Sequence, residues 1–194
     1  MDIEYEASYL NIDKDEVRQR LKSPGAKLVK PEFLQRRWVW HFPKGYEIYG
    51  SWIRVRDEGD KITMSIKIVD GRKLEDQKEV MIEVDNFDRA REILNLLGCQ
   101  ERAYQETKRE LWHLDDAEIT IDEWPFLEPF VEVEAVSEEI IKIVSKKLNF
   151  DYTQAKFGSV DFFYADKYNI SIEVFNDQTP LLTFEMKNPF IKKS

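Results

Sequence analysis

SWIRVRDEGDKITMSIKIV, residues 51–69, reads as two strands joined by a turn at 57–60. Successive side chains of a strand point to opposite faces. Ile53 and Val55 therefore oppose Arg54 and Arg56, while Ile62, Met64, Ile66 and Ile68 oppose Thr63, Ser65 and Lys67. One face of the hairpin is apolar, and the other carries hydroxyls and cations but no carboxylate.

The same division recurs outward from the hairpin, with the sign of charge changing from strand to strand. Glu4 and Glu6 oppose Ile3, Tyr5 and Ala7 near the start, and Glu79 and Glu83 share a face within residues 77–85. Asp122 lies with Thr120 against Ile119 and Ile121, and Glu132 and Glu134 oppose Val131, Val133 and Ala135. The solvated face of an ordinary half-buried sheet mixes signs residue by residue. Strands of one sign each fit another arrangement: a sheet closed with its apolar faces outward under helices, its charged faces lining a hydrated lumen with an acidic and a basic side.

Further strand patterns cover residues 2–10, 32–42, 103–114, 117–123 and 130–135. Helix patterns cover 13–21, capped at Asp13 and ended by Ser23-Pro24-Gly25, and 88–97, stopped by Gly98. A third covers 137–148, with Ser137 as N-cap and Glu138 and Glu139 in its first turn. In the tail a short helix is expected over 159–167 and strands over 170–175 and 181–186. The expected fold class is α+β, a closed antiparallel β-barrel with helices packed outside.

Composition narrows the function. With 29 Lys+Arg against 38 Asp+Glu, the net charge of −9 argues against a nonspecific nucleic-acid binder. No apolar run approaches the ~20 residues that span a bilayer. Residues 1–10 have no basic stretch ahead of an apolar one, so no membrane partner and a cytoplasmic location are expected. A single cysteine, Cys99, rules out an intrachain disulfide and a Cys-based zinc site, and reads as a packing thiol. The 194 residues suit one domain, as a monomer or homodimer.

A lumen with both signs suits a divalent cation bound to a polyphosphate. Mg²⁺ and Mn²⁺ take carboxylate oxygens, while Arg forks and Lys point charges compensate the phosphate charge the metal leaves. Phosphoryl transfer then needs mainly positioning and charge stabilisation.

In this order the residues resemble the CYTH family, the triphosphate tunnel metalloenzymes, which includes class IV adenylyl cyclases and thiamine triphosphatases. Glu4-Tyr5-Glu6 resembles the family's opening Glu-x-Glu-x-Lys, and Arg54-Val55-Arg56 its Arg-x-Arg. Lys67, Glu79 with Glu83 as a weaker match, Lys108-Arg109, Asp122 and the closing Glu132-Val133-Glu134 follow in sequence. The resemblance implies one CYTH-like domain over 1–194, with a motif-bearing barrel at 1–148 and a C-terminal extension at 149–194. It implies that Glu4, Glu6, Glu79, Asp122, Glu132 and Glu134 bind Mg²⁺ or Mn²⁺, and that Arg54, Arg56, Lys67 and Arg109 hold phosphates. Glu4, Glu6 and the residue at position 8 would take part in catalysis. The implied partner is a triphosphate-containing small molecule: tripolyphosphate, thiamine triphosphate or a nucleoside triphosphate, hydrolysed in a charged tunnel. The alternatives are cyclisation of ATP to cyclic AMP and noncatalytic polyphosphate or nucleotide binding.

Ser8 stands where the family has lysine. A hydroxyl can donate a hydrogen bond to phosphate but supplies no charge. Arg36, Arg37 and basic residues of the tail are the candidate substitutes, with Lys156 and Lys187 as candidate lid contacts. Of the adjacent pair Lys108 and Arg109, the resemblance puts Arg109 inside and Lys108 outside. His41 and His113 lack metal-ligand spacing. Trp38, Trp40, Trp52, Trp112 and Trp124 read as core or rim residues rather than ring-stacking platforms, and Lys192 and Lys193 as a solvated end.

Overall fold

The computed structural model describes residues 1–71 and 73–191; Lys192 and Lys193 lie outside them. The strands are β1 Asp2–Ile3, β2 Tyr5–Tyr9, β3 Lys27–His41, β4 Ser51–Asp57, β5 Ile62–Val69, β6 Gln77–Val84, β7 Gln100–Leu114, β8 Ala117–Glu123, β9 Phe130–Ala135 and β10 Leu181–Leu182. The helices are α1 Lys14–Lys22, α2 Phe87–Leu96, α3 Glu138–Lys147, α4 Val160–Tyr168 and α5 Ile172–Asp177.

The helix starts follow from side-chain capping. Asp13 accepts from the N–H groups of Asp15 and Glu16, Asn86 from that of Arg89, and Ser137 from that of Ile140. Each satisfies donors that the first helical turn leaves without partners.

The strands form one sheet in the order β1-β6-β5-β4-β3-β7-β8-β9-β2, antiparallel throughout, with β10 added parallel to β7. The path begins and ends on the N-terminal segment. β1 pairs with β6, Glu4 donates its backbone N–H to Gln77 O at 3.1 Å, and from Tyr5 onward the same segment pairs with β9. The sheet is therefore strongly curled. The expected closed barrel is not what the ladders form, because β1 contributes only two residues and a single bridge to Lys156 joins Ser8 outside the β2–β9 ladder. The architecture is an α+β half-barrel.

The apolar faces lie outside the curl, under the helices. Val17 and Leu21 of α1 and Ile141 and Val144 of α3 pack with Ala7, Ile119, Val131 and Val133 in one buried cluster. Ala90 and Leu94 of α2 pack with Trp40, Ile53 and Val55 in a second. Leu21 is fully buried, so trimming it to alanine would cost about 2–5 kcal/mol.

The tail departs from expectation. Residues 170–175 are not a strand: α5 starts after Ser171 and brings Phe175 into an aromatic cluster with Phe163, Tyr164 and Phe190. The β-branched residues there suggest a strand, but contact with that cluster decides the local structure. Only Leu181–Leu182 of the expected 181–186 strand joins the sheet.

Candidate functional site

The inner face of the curl encloses a cavity of about 870 Å³. Glu4, Glu6, Arg54, Arg56, Lys67, Glu79, Arg109, Glu132 and Glu134 line it. Asp122 is 1% exposed and sits behind Arg109, which binds it through two hydrogen bonds of 2.7 and 2.6 Å. Ser8, 2% exposed, is not part of the lining. Its backbone exchanges two 2.9 Å hydrogen bonds with Lys156, and it stands opposite Glu132 in the β2–β9 ladder. Glu83 is exposed and does not reach the cavity.

Strand register brings the carboxylates together. Glu6 stands opposite Glu134, and Glu134 stands opposite Glu118 on β8, so three carboxylates form a row across three strands. Like charges opposite one another destabilise a ladder. The electrostatics record this: burial, then Glu6, pushes Glu134 up to about 6. Burial, Glu6 and Asp122 raise Glu132 well above the ordinary carboxylate range, against Arg109.

Cations restrain the other acids. Lys67 Nζ lies 2.8 Å from Glu4 Oε2, yet that buried oxygen accepts no hydrogen bond of acceptable geometry, so the contact is charge proximity. Burial pushes Glu4 up to about 8, partly offset by Lys67 and reinforced by Glu79 and Glu6. Against its own burial, Glu79 is held low by Arg54, whose Nη2 donates to it at 2.9 Å. Arg109 also reaches Glu132 at 2.8 Å.

This donor set fits a hard cation that brings some of its own ligands. Among the described residues no group of three or more acidic, His or Cys side chains converges as a ready cage. The acids are instead spread along the ladder and tied to Lys67, Arg54 and Arg109. Mg²⁺ characteristically takes one or two carboxylates and completes its shell with water and substrate phosphate. The orphaned Glu4 Oε2 and the raised Glu4 and Glu134 suit such an ion, which would displace their protons.

Several cavity residues lie outside the motif set. Glu58 is 7% exposed, binds Arg56 at 2.8 Å and lies in the turn after β4, where no periodicity marks it. Glu118 shares its strand face with Thr120 and Asp122, so alternation alone could have found it. Arg37 lies inside, stacked 4.6 Å from the Trp124 ring, while Arg36 points out to Asp57. Trp52 and Trp124 line the cavity, whereas Trp40 and Trp112 are core residues. Lys108 stays outside, bound to Glu123 at 3.4 Å, and Lys156 and Lys187 are exposed and away from the cavity. His41 meets Asp177 at 3.0 Å, and His113 meets Glu118 at 3.5 Å.

Fold and site together define a class: curled antiparallel sheets that carry a charged cavity of both signs on their inner face. The chain belongs to the CYTH domain family, whose model matches residues 2–161. A Methanocaldococcus jannaschii protein provisionally named an adenylate cyclase is 25% identical over 142 residues, 71% of this chain and 79% of that protein. The fold is similar to that of a provisionally named adenylate cyclase from Vibrio parahaemolyticus, with a TM-score of 0.72 at 13% identity over 84% of this chain and 98% of that one. It is also similar to a Hippeastrum adenylyl cyclase candidate described as having a dominant triphosphatase activity, with a TM-score of 0.51 at 14% identity over 89% and 99%. No helix of the described residues is long and apolar enough to cross a membrane.

Proposed function

We propose that the chain is a metal-dependent phosphohydrolase acting on a triphosphate compound in the charged cavity. One observation carries the reading: the in-register row Glu6, Glu134 and Glu118 opens into the same cavity as Arg54, Arg56, Lys67 and Arg109. A polyanion alone would be repelled by the first set, and a cation alone by the second. A triphosphate with Mg²⁺ or Mn²⁺ satisfies both.

In this reading the cation takes one or two of the lining carboxylates Glu4, Glu6, Glu132 and Glu134, while Glu79 is held by Arg54 and Asp122, expected as a ligand, instead stands behind Arg109 and orients it. Arg54, Arg56, Lys67 and Arg109 hold phosphate oxygens. When bound, the cation supplies Lewis-acid stabilisation of charge on the phosphates. Glu4 and Glu6, both on the cavity lining, would also orient the attacking water. Ser8 contributes at most a hydroxyl from the buried strand, and the C-terminal extension joins the rest of the fold through Phe150, Tyr152 and Phe157 in one apolar cluster and Phe163, Tyr164 and Phe190 in another.

The name of the archaeal relative favours a second reading, cyclisation of ATP with release of pyrophosphate. The two reactions differ in the nucleophile, a water or the ribose 3′-hydroxyl. Product analysis after incubation with ATP and Mg²⁺ or Mn²⁺ separates them: released orthophosphate supports hydrolysis, and cyclic AMP with pyrophosphate supports cyclisation. Binding of ATP without either product would leave a noncatalytic module.

A further inference from the structure

Arg37 is a buried cation without an anion. It is 6% exposed, and among the described residues no carboxylate lies within ion-pair distance of its guanidinium. Both of its hydrogen bonds come from Nη2, to the neutral acceptors Gln35 Oε1 at 3.1 Å and Thr107 Oγ1. Its Nε has no partner at all.

Its surroundings make this arrangement costly. Arg37 stands directly opposite Arg56 in the β3–β4 ladder, and burial together with Arg54, Arg56 and Arg109 holds its pKa well below the usual arginine range. An unpaired buried charge is strongly unfavourable, and cross-strand like charges add to it. The adjacent Arg36 shows the ordinary solution, since it faces outward and pairs with Asp57. Arg54 Nε, Gln35 Nε2 and Gln77 Nε2 are also buried donors without partners, so the β3–β4 wall and its neighbours are short of acceptors.

We propose that Arg37 is a further phosphate-binding residue of the cavity and supplies the cation that position 8 does not. The inference rests on the triphosphate reading given above. A phosphate oxygen between Arg37 and Arg56 would relieve their repulsion, satisfy Nε and use the planar fork that guanidinium offers to phosphate. The stack on Trp124 fixes the plane of the fork and lowers the entropy lost on binding. The other candidates for this charge are placed elsewhere. Arg36 is on the outer face, and Lys156 is exposed, with its backbone tied to Ser8.

The test is calorimetric titration of the full chain with sodium tripolyphosphate in EDTA, comparing wild type, Arg37→Met and Arg37→Lys, with melting curves of each in the absence of ligand. Arg37→Met should weaken tripolyphosphate binding about ten- to a hundredfold. Arg37→Lys should fall between the two, because it keeps the charge and loses the fork, and it serves alone if the methionine variant does not fold. Removal of an unpaired buried charge should leave the melting temperature of folded Arg37→Met at or above that of wild type. If wild type binds tripolyphosphate and both variants bind it as tightly, the inference is overturned while the triphosphate reading stands. A lowered melting temperature with unchanged affinity would make Arg37 a structural residue and overturn the inference equally. If wild type binds no tripolyphosphate in EDTA or in Mg²⁺, the triphosphate reading itself fails.

Discussion

Glu6 and Glu134 stand directly opposite each other in the β2–β9 ladder, both on the cavity side. Two carboxylates facing each other in a part-buried space repel unless a proton or a cation intervenes. The pair therefore favours an ion in the folded protein and strains the protein without one.

Glu134→Gln should accordingly weaken Mn²⁺ binding and raise the melting temperature of the metal-free protein. Calorimetric titration with Mn²⁺ and thermal melts in EDTA test the two halves separately. Unchanged Mn²⁺ affinity would remove Glu134 from the proposed metal site.

The raised carboxylates also set a pH dependence. Glu134 at about 6 and Glu4 at about 8 bind protons in the native state at pH values where an unfolded carboxylate has lost them. Their contribution to stability is complete below the unfolded carboxylate range near 4.5 and is lost as pH rises through the folded values. Metal-free protein should thus lose stability between about pH 5 and 8, and Glu134→Gln should flatten the lower part of that decline. Urea denaturation in EDTA across this window measures it. Stability that rises with pH there would mean that burial does not keep Glu4 and Glu134 protonated in the folded protein.

A second acid tests the outer layer. Glu110 is 4% exposed, accepts from Arg18 Nη2 at 2.8 Å and takes the Trp112 indole N–H at 2.6 Å. Arg18→Met leaves that carboxylate without its cation. Breaking a fully buried pair costs ~3–5 kcal/mol, and partial exposure of Arg18 brings the expected loss to about 2–3 kcal/mol. The double variant Arg18→Met/Glu110→Gln should recover most of it, as read from urea midpoints at constant m-value.

Ser8→Lys addresses the missing lysine. Position 8 is buried, opposite Glu132 and two residues from Glu6 on the same strand face, so a new ammonium would pair with those acids first. The variant should show lower Mn²⁺ affinity and no gain in kcat on tripolyphosphate. A gain in the roughly five- to hundredfold range expected of a new transition-state contact would show that the serine limits turnover.

Much of the arrangement was legible because strand alternation is a strict period. The inward faces of β4, β5, β8 and β9 follow from Ile53 and Val55, Ile62 to Ile68, Ile119 and Ile121, and Val131 and Val133, all of which mark the opposite side. Four features were not legible, each for a physical reason. The N-terminal strand changes partner at Glu4, which is a matter of register between distant segments and leaves no local pattern. Residues 172–177 are helical because Phe175 joins an aromatic cluster assembled from distant parts of the chain. Glu58 acts from a turn, where no periodicity applies. Arg37 looked no different from Arg36 until the parity of β3 put one inside and the other outside.

The most direct test of the triphosphatase reading is orthophosphate release from tripolyphosphate by wild type and Glu6→Gln, with Mg²⁺, with Mn²⁺ and with EDTA. Release by wild type should require the cation, be abolished by EDTA, and fall steeply in Glu6→Gln while the variant stays folded. Release that is equal in EDTA, or equal in wild type and Glu6→Gln, would contradict the triphosphatase reading, as would the absence of release from tripolyphosphate, thiamine triphosphate and ATP with either metal.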